Sequence, residues 1–95
     1  MKKYKSLNEI RKKIDELDIE ILDLISKRKE LVSEVINFKT RDQIVDRKRI
    51  QKIIDRLKKE AKKKDIPEEI IVNIWMEMIE SFIKYEEKMF DKLKK

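Results

Sequence analysis

Apolar residues return at alternating steps of three and four from the start of the chain: Leu7, Ile10, Ile14, Leu17, Ile21, Leu24, Leu31, Val35 and Phe38. That a/d spacing predicts one long helix packed along a continuous seam. Ser6-Leu7-Asn8-Glu9 has the form of a capping box, with Ser6 as N-cap and Glu9 reaching back. No Gly or Pro interrupts the pattern before about Lys39. Glu9/Lys13 and Asp23/Lys27 are spaced to support the outer face at i, i+4. The stretch Thr40 to Val45 breaks the pattern, opening with four polar residues. Asp46 then fits the N-cap of a second helix with apolar positions Ile50, Ile53, Ile54, Leu57 and Ala61. The cationic run Lys58 to Lys64 suits that helix's C-terminal dipole. Asp65-Ile66-Pro67-Glu68-Glu69 opens a third helix, with Pro in the first turn and acids at the positive end. From Ile70 to Ile83 its apolar residues cover much of the circumference, which predicts burial on more than one side. The expected fold class is all-α: a single domain over 1–95 with helices at about 6–39, 46–64 and 67–93.

The first helix is too long for a compact monomer. About 33 residues at 1.5 Å rise span about 50 Å. A globule of this chain length has a radius of gyration near 12 Å, so a diameter of roughly 30 Å. Two shorter helices cannot cover that seam in a simple up-down bundle. A second copy can, with the long helices packed together and the shorter ones wrapping the partner, so an obligate homodimer is predicted. A monomeric antiparallel three-helix bundle with a frayed long helix is the alternative.

Arg28 occupies a seam position where Ile or Leu belongs. A guanidinium there is costly unless an anion meets it. That anion is either a carboxylate of the chain, such as Glu80 or Glu86, or a ligand. Lys39 follows eleven residues later, on nearly the same face if the helix continues, about 16 Å along the axis. Arg11 lies about 25 Å from Arg28, so it reaches the same pocket only from a partner chain. Arg49 opens the second helix just after the loop that follows Lys39, and so returns to the same neighbourhood.

Composition narrows the chemistry. Lys and Arg number 26 against 20 Asp and Glu, a formal charge of +6 in a 95-residue chain. This favours anionic partners without choosing among nucleic acid, membrane surface and small carboxylates. The chain has no Cys, His or Gly. It therefore has no thiolate nucleophile, no zinc-cysteine site, no imidazole base and no glycine-rich phosphate loop. Electrostatic positioning by Arg, Lys and carboxylates fits that inventory better than proton shuttling. No apolar run approaches the roughly 18 residues of a membrane span, and the basic start leads into an amphipathic helix, so a cytoplasmic location is expected.

Leu7 to Asp18, Ile21 to Arg28 and Val35 to Lys39 together resemble the all-helical chorismate mutases, the AroQ class. The run is Ile10-Arg11-x-x-Ile14-Asp15-x-Leu17-Asp18-x-x-Ile21-Leu22-x-Leu24-Ile25-x-x-Arg28, with a lysine eleven residues on. The resemblance extends through Asp46, Arg49 and the third helix. It implies the chorismate mutase type II fold, an intertwined homodimer of three-helix chains, and the Claisen rearrangement of chorismate to prephenate in aromatic amino acid biosynthesis. No cofactor or metal is implied. Arg11 of the partner subunit and Arg28 would hold the two substrate carboxylates. Lys39 would donate to the ether oxygen and a carboxylate. Arg49 would add positive charge, and the backbone at Asp46 would help hold a ring hydroxyl. Glu86 would face the ether oxygen, where it can donate only when it carries its proton.

Three positions depart from the mutase pattern. Ile50 stands where the mutases carry a hydroxyl-binding glutamate. The loop from Lys39 to Arg49 is about two residues short. Phe82 falls where a serine is expected, with Ser81 one place off. An apolar residue at Ile50, the Phe38-Lys39 pair and the Phe82 to Glu86 region resemble the isochorismate pyruvate-lyase branch of the same fold, which yields salicylate and pyruvate. That lyase activity is the runner-up. Two other classes are more distant. A nucleic-acid-binding helical module would use Lys58 to Lys64, but its cations are spread among acids and no recognition motif appears. A pocketless coiled-coil scaffold would be stabilised by Arg28→Leu. The leading expectation includes neither a nucleic-acid nor a membrane partner.

Overall fold

A computed structural model describes residues 3–93. Its α-helices are α1 (Leu7–Val35), α2 (Arg47–Lys63) and α3 (Glu68–Leu93), with 3-10 turns at Ile36–Phe38 and Arg41–Gln43. No strand occurs among the described residues, so the fold is all-α. Its contacts divide the chain into two compact units, Met1–Leu31 and Val32–Lys95. No helix among the described residues is long and apolar enough to cross a membrane.

The first unit is the greater part of α1. Ser6 caps it: the Glu9 N–H donates to Ser6 Oγ at 3.1 Å and the Ile10 N–H to the Ser6 carbonyl at 3.3 Å. The return arm differs from the expected box. Glu9 Oε2 accepts from the backbone N–H of Lys5 at 2.9 Å, one residue ahead of the cap. The charge still lies at the positive end of the helix, where it is stabilising. With Glu9 engaged there, Lys13 pairs with Glu16 at 3.6 Å. No residue of α1 is buried, and its seam is open: Leu17 is 54% exposed, Leu24 63% and Leu31 69%.

In the second unit, α-helical bonding stops at Val35 and tightens into the first 3-10 turn. Lys39 is extended, at φ −107° and ψ 149°. The expected helical run to Lys39 is cut short because Thr40 starts a capped turn of its own. Its N–H donates to Gln43 Oε1 at 2.9 Å, and its side chain accepts from the Gln43 backbone. A capping residue needs β-region backbone, and Thr40 has it, at φ −91° and ψ 168°. Ile36 and Ile44 are buried on either side of this segment.

Asp46 caps α2 as its sequence predicts, Oδ1 accepting from the Arg49 N–H at 3.0 Å. At the other end the Ile66 N–H donates to the Ala61 carbonyl at 2.9 Å and the Asp65 N–H to that of Lys62 at 3.3 Å. This is the Schellman pattern, which places the residue after the cap in left-handed backbone. In a chain without glycine, Asp65 takes that conformation, at φ 61°. Asp tolerates it better than most side chains. Pro67 then leads into α3, its carbonyl accepting from the Ile70 N–H at 3.1 Å, and Glu68 and Glu69 occupy the first turn.

The core lies between α2 and α3. Ile53, Ile54 and Ile79 are buried at its centre, with Ile50, Leu57, Val72, Trp75 and Ile83 packed around them. The 3-10 turn at Ile36–Phe38 also packs on α3. Within the chain α3 is covered on this flank, while Ile70, Ile74 and Met76 stay exposed.

Candidate active site

Ile79, Ile83, Glu86 and Phe90 fall three and four apart, on one face of α3. Three are apolar and one is a carboxylate. Glu86 is only 6% exposed, and a glutamate is almost never so buried unless paired. Its partner is Lys39, whose Nζ donates to Glu86 Oε1 at 3.3 Å. The two are 47 residues apart in sequence. The extended backbone at Lys39 turns its chain out of α1, and the side chain reaches α3. The pair is a preorganised donor–acceptor unit in a largely desolvated position, where charge acts more strongly than in water.

The other sequence-predicted residues of this unit lie on neighbouring elements. Phe82, half-buried one turn before Glu86, meets Tyr85 edge-on with ring centroids 6.4 Å apart. Ile50 packs into the α2–α3 core, so it has a structural reason to be apolar whatever it faces besides. Asp46 is engaged through its side chain as the cap of α2. Arg49 is exposed in the first turn of that helix. In the first unit, Arg11 is exposed and Arg28 half-buried, both on α1.

Two features here were not predicted. Ser33 and Tyr85 share a hydrogen bond of 2.9 Å between hydroxyls. No spacing rule would have matched them. Arg41 forms an ion pair with Asp91 and lies over the Phe90 ring, 5.3 Å from its centroid. A signal for the turn that carries Arg41 was present, since Thr40-Arg41-Asp42-Gln43 has the capping-box form. A shallow depression lined by Lys62, Asp65, Ile66, Pro67 and Glu68 opens at the α2–α3 corner. It lies about 27 Å along α3 from Glu86 and has no part in the pair.

The fold and site define an all-helical protein in which a half-buried lysine, paired with a buried glutamate, joins the first interhelical loop to the third helix. The family profile "Chorismate mutase type II" matches residues 10–87, a span that contains every candidate residue from Arg11 to Glu86. The chain belongs to that family. Among curated proteins, a chorismate mutase of Methanocaldococcus jannaschii is 41% identical over 76 residues, covering 78% of this chain and 77% of that protein. Both matches favour the mutase over the lyase branch, despite Ile50 and Phe38.

Proposed function

We propose that this chain is an isomerase that rearranges chorismate to prephenate, with Lys39 and Glu86 meeting the ether oxygen. The observation that carries the assignment of these residues is their contact at 3.3 Å, on a carboxylate 6% exposed. The reaction breaks a C–O bond and forms a C–C bond in one pericyclic step. It needs no nucleophile and no general base, consistent with a chain lacking Cys and His. The protein's task is to hold the enolpyruvyl arm over the ring and stabilise negative charge growing on the ether oxygen. An ammonium has three donors, so Lys39 can keep Glu86 and still donate to the ether. Glu86 orients that ammonium when ionised and is itself a donor when it carries a proton.

Arg28 and Arg11 hold the two carboxylates, and Arg11 comes from a partner subunit. Support for a second copy is the state of α1: a 29-residue helix with an apolar seam and no buried residue. Such a seam needs a cover, and a self-complementary a/d surface suits another copy of itself. Arg49 adds positive charge beside the loop, and the Asp46 backbone, Phe82 and Ile50 shape the ring's surroundings.

Incubation of the purified protein with chorismate, and separately with isochorismate, tests the activity. Loss of chorismate absorbance with formation of prephenate is expected, without salicylate fluorescence from isochorismate. Salicylate without prephenate would transfer the protein to the lyase reaction, and neither product would remove the enzymatic assignment.

A further inference from the structure

We infer that Arg41 is a positioning residue for Lys39: it fastens the loop that bears the lysine to the same helix that presents Glu86. This rests on the role given to Lys39 above. Lys39 lies outside α-helical structure, with extended backbone between two 3-10 turns. A side chain on such a segment is held less firmly than one on a helix. Buried Ile36 and Ile44 anchor the segment before and after. Neither fixes the direction of the residues between them.

Arg41, two residues past Lys39, supplies that constraint. It pairs with Asp91 and lies over Phe90. The two contacts differ in kind. The ion pair, between side chains more than half exposed, directs the charged end toward α3, and the ring confines the guanidinium plane. Phe90 and Asp91 stand one turn beyond Glu86 on α3, so loop and helix are clamped next to the pair. The turn is itself closed by the reciprocal Thr40–Gln43 bonds. Those bonds tie Arg41 to Thr40, the residue next to Lys39. Phe90 and Asp91 lie outside residues 10–87, the span that matches the family. Arg41 itself lies inside that span, so the clamp joins a residue of the matched region to two beyond it.

The test measures kcat at saturating chorismate, well below the melting midpoint, for Arg41→Met, Asp91→Asn and the exchange Arg41→Asp with Asp91→Arg. Arg41→Met is expected to lower kcat about tenfold, since small misplacement of a reacting group is costly. Asp91→Asn should lower it by about threefold, and the exchange should recover at least half of the Arg41→Met loss. A lower melting temperature with kcat within twofold of the parent would make Arg41 merely structural and overturn the inference. In a Lys39→Met background, Arg41→Met should add less than a twofold loss. An equal loss in both backgrounds would show that Arg41 acts independently of Lys39, and would also overturn it. Should Arg41→Met not fold, Asp91→Asn decides by the same criteria. If Lys39→Met alone leaves kcat/KM within fivefold of the parent, the role given to Lys39 fails. That is a separate result, independent of what Arg41 variants do to the parent.

Discussion

Replacing the lysine–glutamate pair in two stages separates its contribution to stability from its contribution to catalysis. At 3.3 Å the two charges attract by about 5 kcal/mol at an effective dielectric of 20, before the cost of desolvating them. That cost falls mainly on Glu86, whose side chain is 8% exposed against 26% for Lys39. Lys39→Met leaves a buried carboxylate without its cation. Loss of one partner from a fully buried pair costs about 3–5 kcal/mol. The exposure of Lys39 lowers the expected figure to about 2–3 kcal/mol, a fall of roughly 8–24 °C in melting temperature at fixed protein concentration. Glu86→Leu leaves a lysine that can swing to water, and should cost about 1 kcal/mol. The double variant Lys39→Met/Glu86→Leu replaces both charges with apolar groups and should return to within about 1 kcal/mol of the parent. Activity behaves differently. Loss of a donor aimed at developing charge lowers kcat by about 10²–10³-fold, and apolar replacement does not restore it. The double variant is therefore expected to melt like the parent and remain at least a hundredfold less active. Thermal melts and chorismate turnover on the four proteins check this. A double variant no more stable than Lys39→Met would refute the ion-pair energetics. One with activity within fivefold of the parent would refute the catalytic assignment.

Other perturbations have defined outcomes. Leu24→Lys places a charge on the open seam of α1 and should lower the molar mass seen by light scattering to that of one chain, whereas a parent already monomeric would end the two-copy proposal. Asp46→Ala removes the cap of α2 and should cost about 1 kcal/mol in chemical denaturation, with Asp46→Asn near neutral. Asp65→Val forces a β-branched residue to positive φ and should cost about 1–2 kcal/mol, while Asp65→Gly should not destabilise the fold.

Most of the fold was legible because it rests on local rules. Ser6 and Asp46 cap helices as their side chains allow, and the Ile50 to Ala61 stripe forms the face of α2 that packs on α3. The misjudged stretch was the end of α1. Apolar periodicity continues through Phe38, so nothing in the seam marks a stop. What ends the helix is a small capped turn at Thr40 to Gln43, whose polar residues resemble an ordinary loop. At the site, Glu86 is named from the seam as one carboxylate that could answer Arg28 and again through family resemblance; its burial has a signal of its own, a lone carboxylate between Ile83 and Phe90 on an apolar face. Arg41 was passed over because one arginine among many cations is indistinguishable until its partners on α3 are known. The Ser33–Tyr85 bond depends on a tertiary approach that no periodicity encodes.

The tight corner from Ala61 to Ile66 also has a kinetic meaning. It joins α2 and α3 with very little intervening chain, so their contacts are close in sequence and rapid to form. The bare seam of α1 has no such shortcut: if a second molecule supplies its cover, that step is bimolecular. Refolding would then proceed as a fast unimolecular event followed by one that quickens in proportion to protein concentration. Dilution would lengthen the wait for an active enzyme while leaving the helical hairpin's closing time untouched.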